Sequence, residues 1–137
     1  MTTYRISSIE GIGTTYEQKL RAVGVRSVAN LLKKGATRKD RKELAEKSGV
    51  DETLILKWVN MADLYRVKGI GSEYAELLEK AGVDTVKELR NRVPANLHAK
   101  MVEVNSKGRA LVRQLPSLSM VTRWVEAAKK LDPMVTY

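Results

Sequence analysis

Gly11-Ile12-Gly13 and Gly69-Ile70-Gly71 are the residues of this chain whose type and spacing first suggest chemistry. Two glycines separated by one residue permit a tight turn, because glycine tolerates positive φ and lets another backbone approach closely. The apolar residue between them can plug the turn into a core. A turn of this kind that opens onto a helix aims several amide N–H groups in one direction, with the positive end of the helix dipole behind them. Such a nest suits an anion, and a phosphate oxygen is the first ligand to consider. The pattern is not a dinucleotide fingerprint, which needs a preceding strand and a third glycine, and it lacks the Gly-Lys-Ser/Thr ending of a P-loop.

The elements that must position these turns are legible because the device is written twice. Ile9 to Tyr16 matches Val67 to Tyr74 at an offset of 58 residues. The offset persists through Leu20 and Leu78, Gly24 and Gly82, Val25 and Val83, Val28 and Val86, and Leu31 and Leu89. A fixed offset over such a span denotes a duplicated structural unit. We assign the first repeat to residues 1–66, the second to residues 67–131, and a loose tail to residues 132–137. Trp58-Val59 and Trp124-Val125 are 66 residues apart, so the second repeat carries about eight additional residues, placed around Asn105 to Pro116.

Helix signals are dense. Thr14-x-x-Glu17 and Thr85-x-x-Glu88 read as capping boxes. Ser27, Thr37, Asp51 and Ser117 are further N-cap candidates. Ser72 opens a helix in the second repeat, and Pro94 suits a first helical turn. Gly24, Gly35, Gly49 and Gly82 read as helix stops, and Gly108 and Pro116 bracket a link. Leu54, Ile55, Trp58, Val59, Met61 and Ala62 recur at helical spacing after Asp51. No segment alternates cleanly as a strand would. The expected fold is all-α, with both repeats packed into one compact helical protein.

Composition narrows the function. The 137 residues include 25 Lys and Arg against 16 Asp and Glu, a formal net charge of +9. Both halves share it, at +5 for residues 1–66 and +4 for residues 67–137. This balance favours a polyanionic partner. Cysteine is absent, which excludes disulfides and thiolate sites and fits a cytoplasmic protein. No apolar run is long enough to span a membrane. His98 is the single histidine and has no second His or Cys with which to hold a metal, so it reads as a packing or capping residue. No catalytic constellation, metal site or cofactor site emerges. The densest basic stretch, Lys33 to Lys47, sets seven cations against Asp40, Glu43 and Glu46, and its Arg38, Lys39 and Arg41 are candidate phosphate contacts. Trp58 and Trp124 hold equivalent places and are assigned to packing. Tyr16 and Tyr74, in the first turn after each hairpin, are assigned likewise.

The apolar-x-x-apolar-x-Gly-apolar-Gly pattern, Ile6 to Gly13 and Leu64 to Gly71, resembles the helix-hairpin-helix motif of SAM-like folds. In DNA-binding members of that group the hairpin grips the sugar–phosphate backbone without reading sequence, as phosphate contacts do. This chain departs from them in carrying Thr14-Thr15 and Ser72-Glu73 where a Lys or Arg is common. Over nearly its whole length the chain is similar to a bacterial and archaeal family of uncharacterised proteins built from two such repeats. The residues behind this are Ile9 to Leu20, Lys42 to Lys47, Leu56 to Asn60, Asp63-Leu64, Gly69 to Tyr74, Asn96-Leu97-His98, Glu103-Val104-Asn105 and Leu115-Pro116-Ser117. The resemblance implies two helix-hairpin-helix repeats and no activity.

The functional expectation is therefore sequence-independent binding of nucleic acid, DNA first, and no enzyme activity. Its ligands would be the amides of Gly11, Ile12, Gly13, Thr14 and Thr15 in one repeat and of Gly69, Ile70, Gly71 and Ser72 in the other, with Lys68, Arg38, Lys39 and Arg41 beside them. Arg66 and Lys68 favour the second turn, whereas Glu10 and Glu73 oppose an anion. The competing expectation is a protein-interaction or scaffold module whose hairpins are only structural joints.

Overall fold

A computed structural model describes residues 4–107 and 110–137. The regular elements among the described residues are helices, with one isolated bridge between Arg5 and Ser27 and no strand. The chain divides into two compact units, Met1–Asp63 with Met134–Tyr137, and Leu64–Pro133. Met1, Thr2, Thr3, Gly108 and Arg109 lie outside the described residues, so the link at Gly108 is not assigned.

The first unit opens with a 3-10 turn, Ile6–Ser8, followed by α1 (Thr14–Ala22), α2 (Val28–Gly35), α3 (Arg38–Ser48) and α4 (Glu52–Leu64). The second contains α5 (Ser72–Lys80), α6 (Val86–Leu89), α7 (Pro94–Ser106) and α8 (Leu118–Lys129). Starts and stops follow side-chain chemistry. Ser27, Thr37, Thr85 and Ser117 each accept an amide N–H three residues ahead, and Asp51 Oδ1 accepts from Thr53 N at 2.7 Å. α1 differs from the capping-box reading. Gly13 is its N-cap and supplies no side chain, Thr14 is already helical, and Glu17 N donates to Gly13 O at 2.9 Å.

The ends of α1 and α5 are copies. Gly24 and Gly82 hold φ of 89° and 93°. Val25 N donates to Leu20 O and Val83 N to Leu78 O, each at 2.9 Å, while Gly24 N and Gly82 N reach Arg21 O and Glu79 O, each at 3.0 Å. This crossed pair is a Schellman end, and its apolar partners Leu20 with Val25 and Leu78 with Val83 are buried. A long cation completes each copy: Lys34 Nζ donates to Gly24 O at 3.1 Å and Arg92 Nη2 to Gly82 O at 2.8 Å.

Gly35 ends α2 as expected from its position, but the physical reason is packing. A Cβ there would lie 2.6 Å from Val59 Cγ2 on α4. The connection between α7 and α8, residues 107–117, is longer than the one between α3 and α4, residues 49–51. Three side chains pin this longer connection: Tyr74 OH donates to Gln114 O at 3.1 Å, His98 Nε2 to Pro116 O at 3.0 Å, and Asn105 Oδ1 accepts from Leu111 N and Val112 N. His98 thus holds a loop carbonyl.

The residues expected to form a loose tail instead pack on the first unit. Thr136 N donates to Ala36 O at 2.8 Å, Tyr137 OH to Asn60 Oδ1 at 3.2 Å, and Val135 is buried. The partner that sequence could not supply is Arg41, whose guanidinium donates to Thr136 O.

Gly35→Ala should destabilise the protein by about 1–3 kcal/mol, against the helix propensity of alanine, because the methyl meets Val59. Gly49→Ala, where φ is 73° and a Cβ meets nothing within 4 Å, should cost only the backbone strain of about 1 kcal/mol. Urea unfolding of the two variants checks the order.

Candidate functional site

The glycine turns are the same object in both units. Gly11 holds φ of 96° and Gly69 of 94°. Ile12 N donates to Ile9 O and Ile70 N to Val67 O, each at 3.1 Å. Ile12 and Ile70 are buried and plug the turns, while Gly11 and Gly69 lie at the surface. The second glycines have ordinary extended backbone and cap the helices, Gly13 for α1 and Gly71 for α5. The first intrahelical acceptors go to Glu17 N and Ala75 N. The amides of Thr14, Thr15 and Tyr16, and of Ser72, Glu73 and Tyr74, therefore precede the helical ladder, and no cap side chain covers them. Four other helices close this end with a Ser or Thr oxygen, and α7 opens with Pro94, which lacks one of the donors.

Behind each turn stands a tryptophan. Trp58 is 1% exposed and Trp124 3%. A Cβ on Gly11 would lie 3.3 Å from Trp58 Nε1, and one on Gly69 3.1 Å from Trp124 Nε1. The tyrosine of the first turn packs on the same indole, with ring centroids 5.1 Å apart for Tyr16 and Trp58 and 5.2 Å for Tyr74 and Trp124. Both aromatic residues thus pack beside their own glycine turn. Lys19 Nζ lies 6.0 Å from the Tyr16 ring centroid. That brings a cation back toward the first turn, in keeping with the N-terminal tilt of helical side chains. Sequence reading missed Lys19, although its spacing of three from Tyr16 on a helix was a usable signal. Lys68 is exposed at the second turn, as are Glu10 and Glu73 at the two turns they adjoin.

The basic stretch stands elsewhere. Lys33, Lys34 and Lys47, with Asp40 and Glu43, border an open cleft of about 460 Å³ that also meets Val23, at the C-terminal end of α1. The nine residues of α1 set that end about 13 Å from the hairpin end. Arg38 lines a recess of about 310 Å³ with Arg41, Glu52, Thr53, Leu56 and Tyr137. Leu56 and Trp58 are two residues apart on α4, about 200° around the helix, so Arg38 and the first turn lie on opposite sides of α4. Lys39 is exposed.

Arg41, expected as a phosphate contact, has other work, and so has Arg66, which was expected to favour the second turn. Arg41 is 2% exposed, and its guanidinium donates to Gly35 O at 2.9 Å, Ala36 O at 3.0 Å and Thr136 O. Burial pushes its pKa down, opposed by the nearby Tyr137 and Glu52. Its apparent place on a basic helix face concealed a role in joining α2, α3 and the C-terminal residues. Arg66 Nη2 likewise donates to Asp132 O at 2.8 Å.

Arg41→Met should cost about 2–4 kcal/mol, because three carbonyls lose a charged donor and the site is too buried to rehydrate freely. Lys39→Ala, on an exposed face, should change stability by less than about 0.5 kcal/mol. At the turns, Gly11→Ala and Gly69→Ala should each cost about 1–3 kcal/mol from positive φ and crowding of the indole, and Gly13→Ala less than about 1 kcal/mol. Chemical denaturation of the set measures these differences.

No helix among the described residues is long and apolar enough to cross a membrane, and no group of three or more His, Cys, Asp or Glu residues among them could hold a metal. No curated protein and no solved structure matches the chain. The model of one family, Domain of unknown function (DUF4332), matches residues 10–131. That match covers both glycine turns and all eight α-helices described above, and the chain belongs to this family.

Proposed function

We propose that this protein binds nucleic acid without sequence preference, through phosphate contacts at two helix-hairpin-helix turns. The observation that carries this reading is the paired geometry of the turns: a surface glycine at positive φ, then a glycine N-cap with no side chain to cover the helix amides, repeated at the same offset in a chain of net charge +9. Open amides at a helix N-terminus attract a phosphate oxygen and carry no base information. The cations nearest to this task are Lys19 at the first turn and Lys68 at the second. Exposed Arg38 and Lys39 serve as an outlying edge that adds non-specific attraction, while Arg41 is structural. Glu10 and Glu73 temper both turns, which suits modest affinity. No step of this reading requires catalysis, a cofactor or a metal.

Binding to a short mixed-sequence duplex should weaken steeply with salt, with a slope on logarithmic axes of about −0.9 for each phosphate engaged. Gly13→Asp and Gly71→Asp make the sharpest variants, because a Cβ at either position meets nothing within 4 Å. Aspartate is a favoured N-cap, so these changes should preserve or raise thermal stability while reducing duplex affinity at least about tenfold. Arg38→Ala with Lys39→Ala should flatten the salt slope and leave the hairpin contribution intact. A wild-type protein that binds no duplex at low salt would remove the nucleic-acid reading and leave the hairpins as joints of a protein-interaction module.

A further inference from the structure

The two tryptophans offer something that packing does not require. Trp58 and Trp124 are almost wholly buried, yet neither indole N–H has a hydrogen-bond acceptor among the described residues. A buried indole N–H ordinarily finds a partner, since an unsatisfied donor costs about 1–3 kcal/mol. The same arrangement occurs in both units, which makes an accident of one side-chain placement a poor account. Nor are the two nitrogens sealed in the core. The single fully buried side-chain N or O atom without a partner among the described residues is Glu79 Oε2, and neither indole nitrogen is counted with it. Each nitrogen faces a turn glycine, because Nε1 is the nearest heavy atom to the absent Cβ of Gly11 in one unit and of Gly69 in the other. Both glycines are at the surface. A methyl group at either position would stand against the nitrogen, at 3.3 Å in the first unit and 3.1 Å in the second.

We infer that the indole N–H groups of Trp58 and Trp124 are phosphate ligands, each donating through the gap left by its hairpin glycine to an oxygen of a phosphodiester. The inference rests on the nucleic-acid reading above and adds a side-chain donor to each amide nest. It also gives the first glycine a second duty. Positive φ makes the turn, and the missing Cβ uncovers the donor. The tyrosine packed on each indole fixes the ring so that the donor is in place before the ligand arrives, which lowers the entropic cost of binding. The ligand class is a phosphate oxygen, because the indole donates only and the surrounding amides donate only.

Trp58 and Trp124 are the two tryptophans of the chain, so the two indole N–H resonances of the intact protein report on both sites. A short mixed-sequence duplex is titrated at low salt, with binding followed in parallel by fluorescence anisotropy of labelled duplex. We expect saturable downfield movement of the indole N–H resonances that tracks the anisotropy curve, and slower exchange of these protons with solvent. Trp58→Phe and Trp124→Phe assign the signals and should each weaken binding. Because these variants risk unsettling the core, a second protein is made with both tryptophans replaced by β-(3-benzothienyl)alanine, which keeps the ring shape and removes the N–H. Its thermal unfolding should match wild type while duplex affinity falls about tenfold for each indole that engages a phosphate, the worth of a charge-assisted hydrogen bond. Duplex binding with stationary indole resonances, or with full affinity in the benzothienyl protein, would overturn the indole role and leave the amide reading standing. Absence of duplex binding by anisotropy overturns both.

Discussion

The turn glycine facing an indole edge is the constraint from which each unit is built. At Gly11 and Gly69 the chain must take positive φ, and it must do so against the nitrogen of a buried tryptophan carried by a helix much later in sequence. Steric exclusion of a Cβ therefore acts twice at one atom. It selects glycine for the turn, and it sets how closely α4 and α8 approach the turns of their own units. The isoleucine next in sequence then fills the core beneath, and the second glycine starts the helix with its amides uncovered. Each feature of the candidate site follows from this local crowding, including the position of the tyrosine on the ring.

The two units share that crowding and differ in what lies around it. The Schellman ends of α1 and α5 keep their hydrogen bonds, and the cation that covers the glycine carbonyl is lysine in one copy and arginine in the other. Both satisfy a carbonyl that has left the helical ladder, so the exchange is conservative for this purpose. The connection before α8 is longer than the one before α4. Its length did create loose backbone polar groups, and Tyr74, His98 and Asn105 hold several of them.

Much of this was readable residue by residue. Ser27, Thr37, Asp51, Thr85 and Ser117 start helices through bonds to amides two or three positions away, and such bonds depend on nearest neighbours. The offset between the glycine turns led to two turns of matching geometry, and the family match spans both. Thr14 misled because a Thr-x-x-Glu string does not reveal whether the glycine before it already occupies the cap. Gly35 sat at the right place for the wrong reason. Its missing side chain makes room for Val59 rather than permitting a left-handed turn.

What the sequence by itself determined was the set of interactions reaching a few residues along the chain: all-helical elements, their ends, two glycine turns and a surplus of positive charge. Tertiary structure alone decided which of those charges face water. Arg38, Lys39 and Arg41 look alike on paper, and only the arrival of Ala36 and Thr136 carbonyls around position 41 removes one of them from the surface. It also decided that Trp58 and Trp124 end beside their glycines with an unpaired N–H, and that Val135 to Tyr137 return to the first unit. The physical reason is range. Caps and turns are settled by neighbours a few bonds away, whereas burial and hydrogen-bond satisfaction depend on groups brought together from far apart in the chain, and these have no period or spacing to announce them.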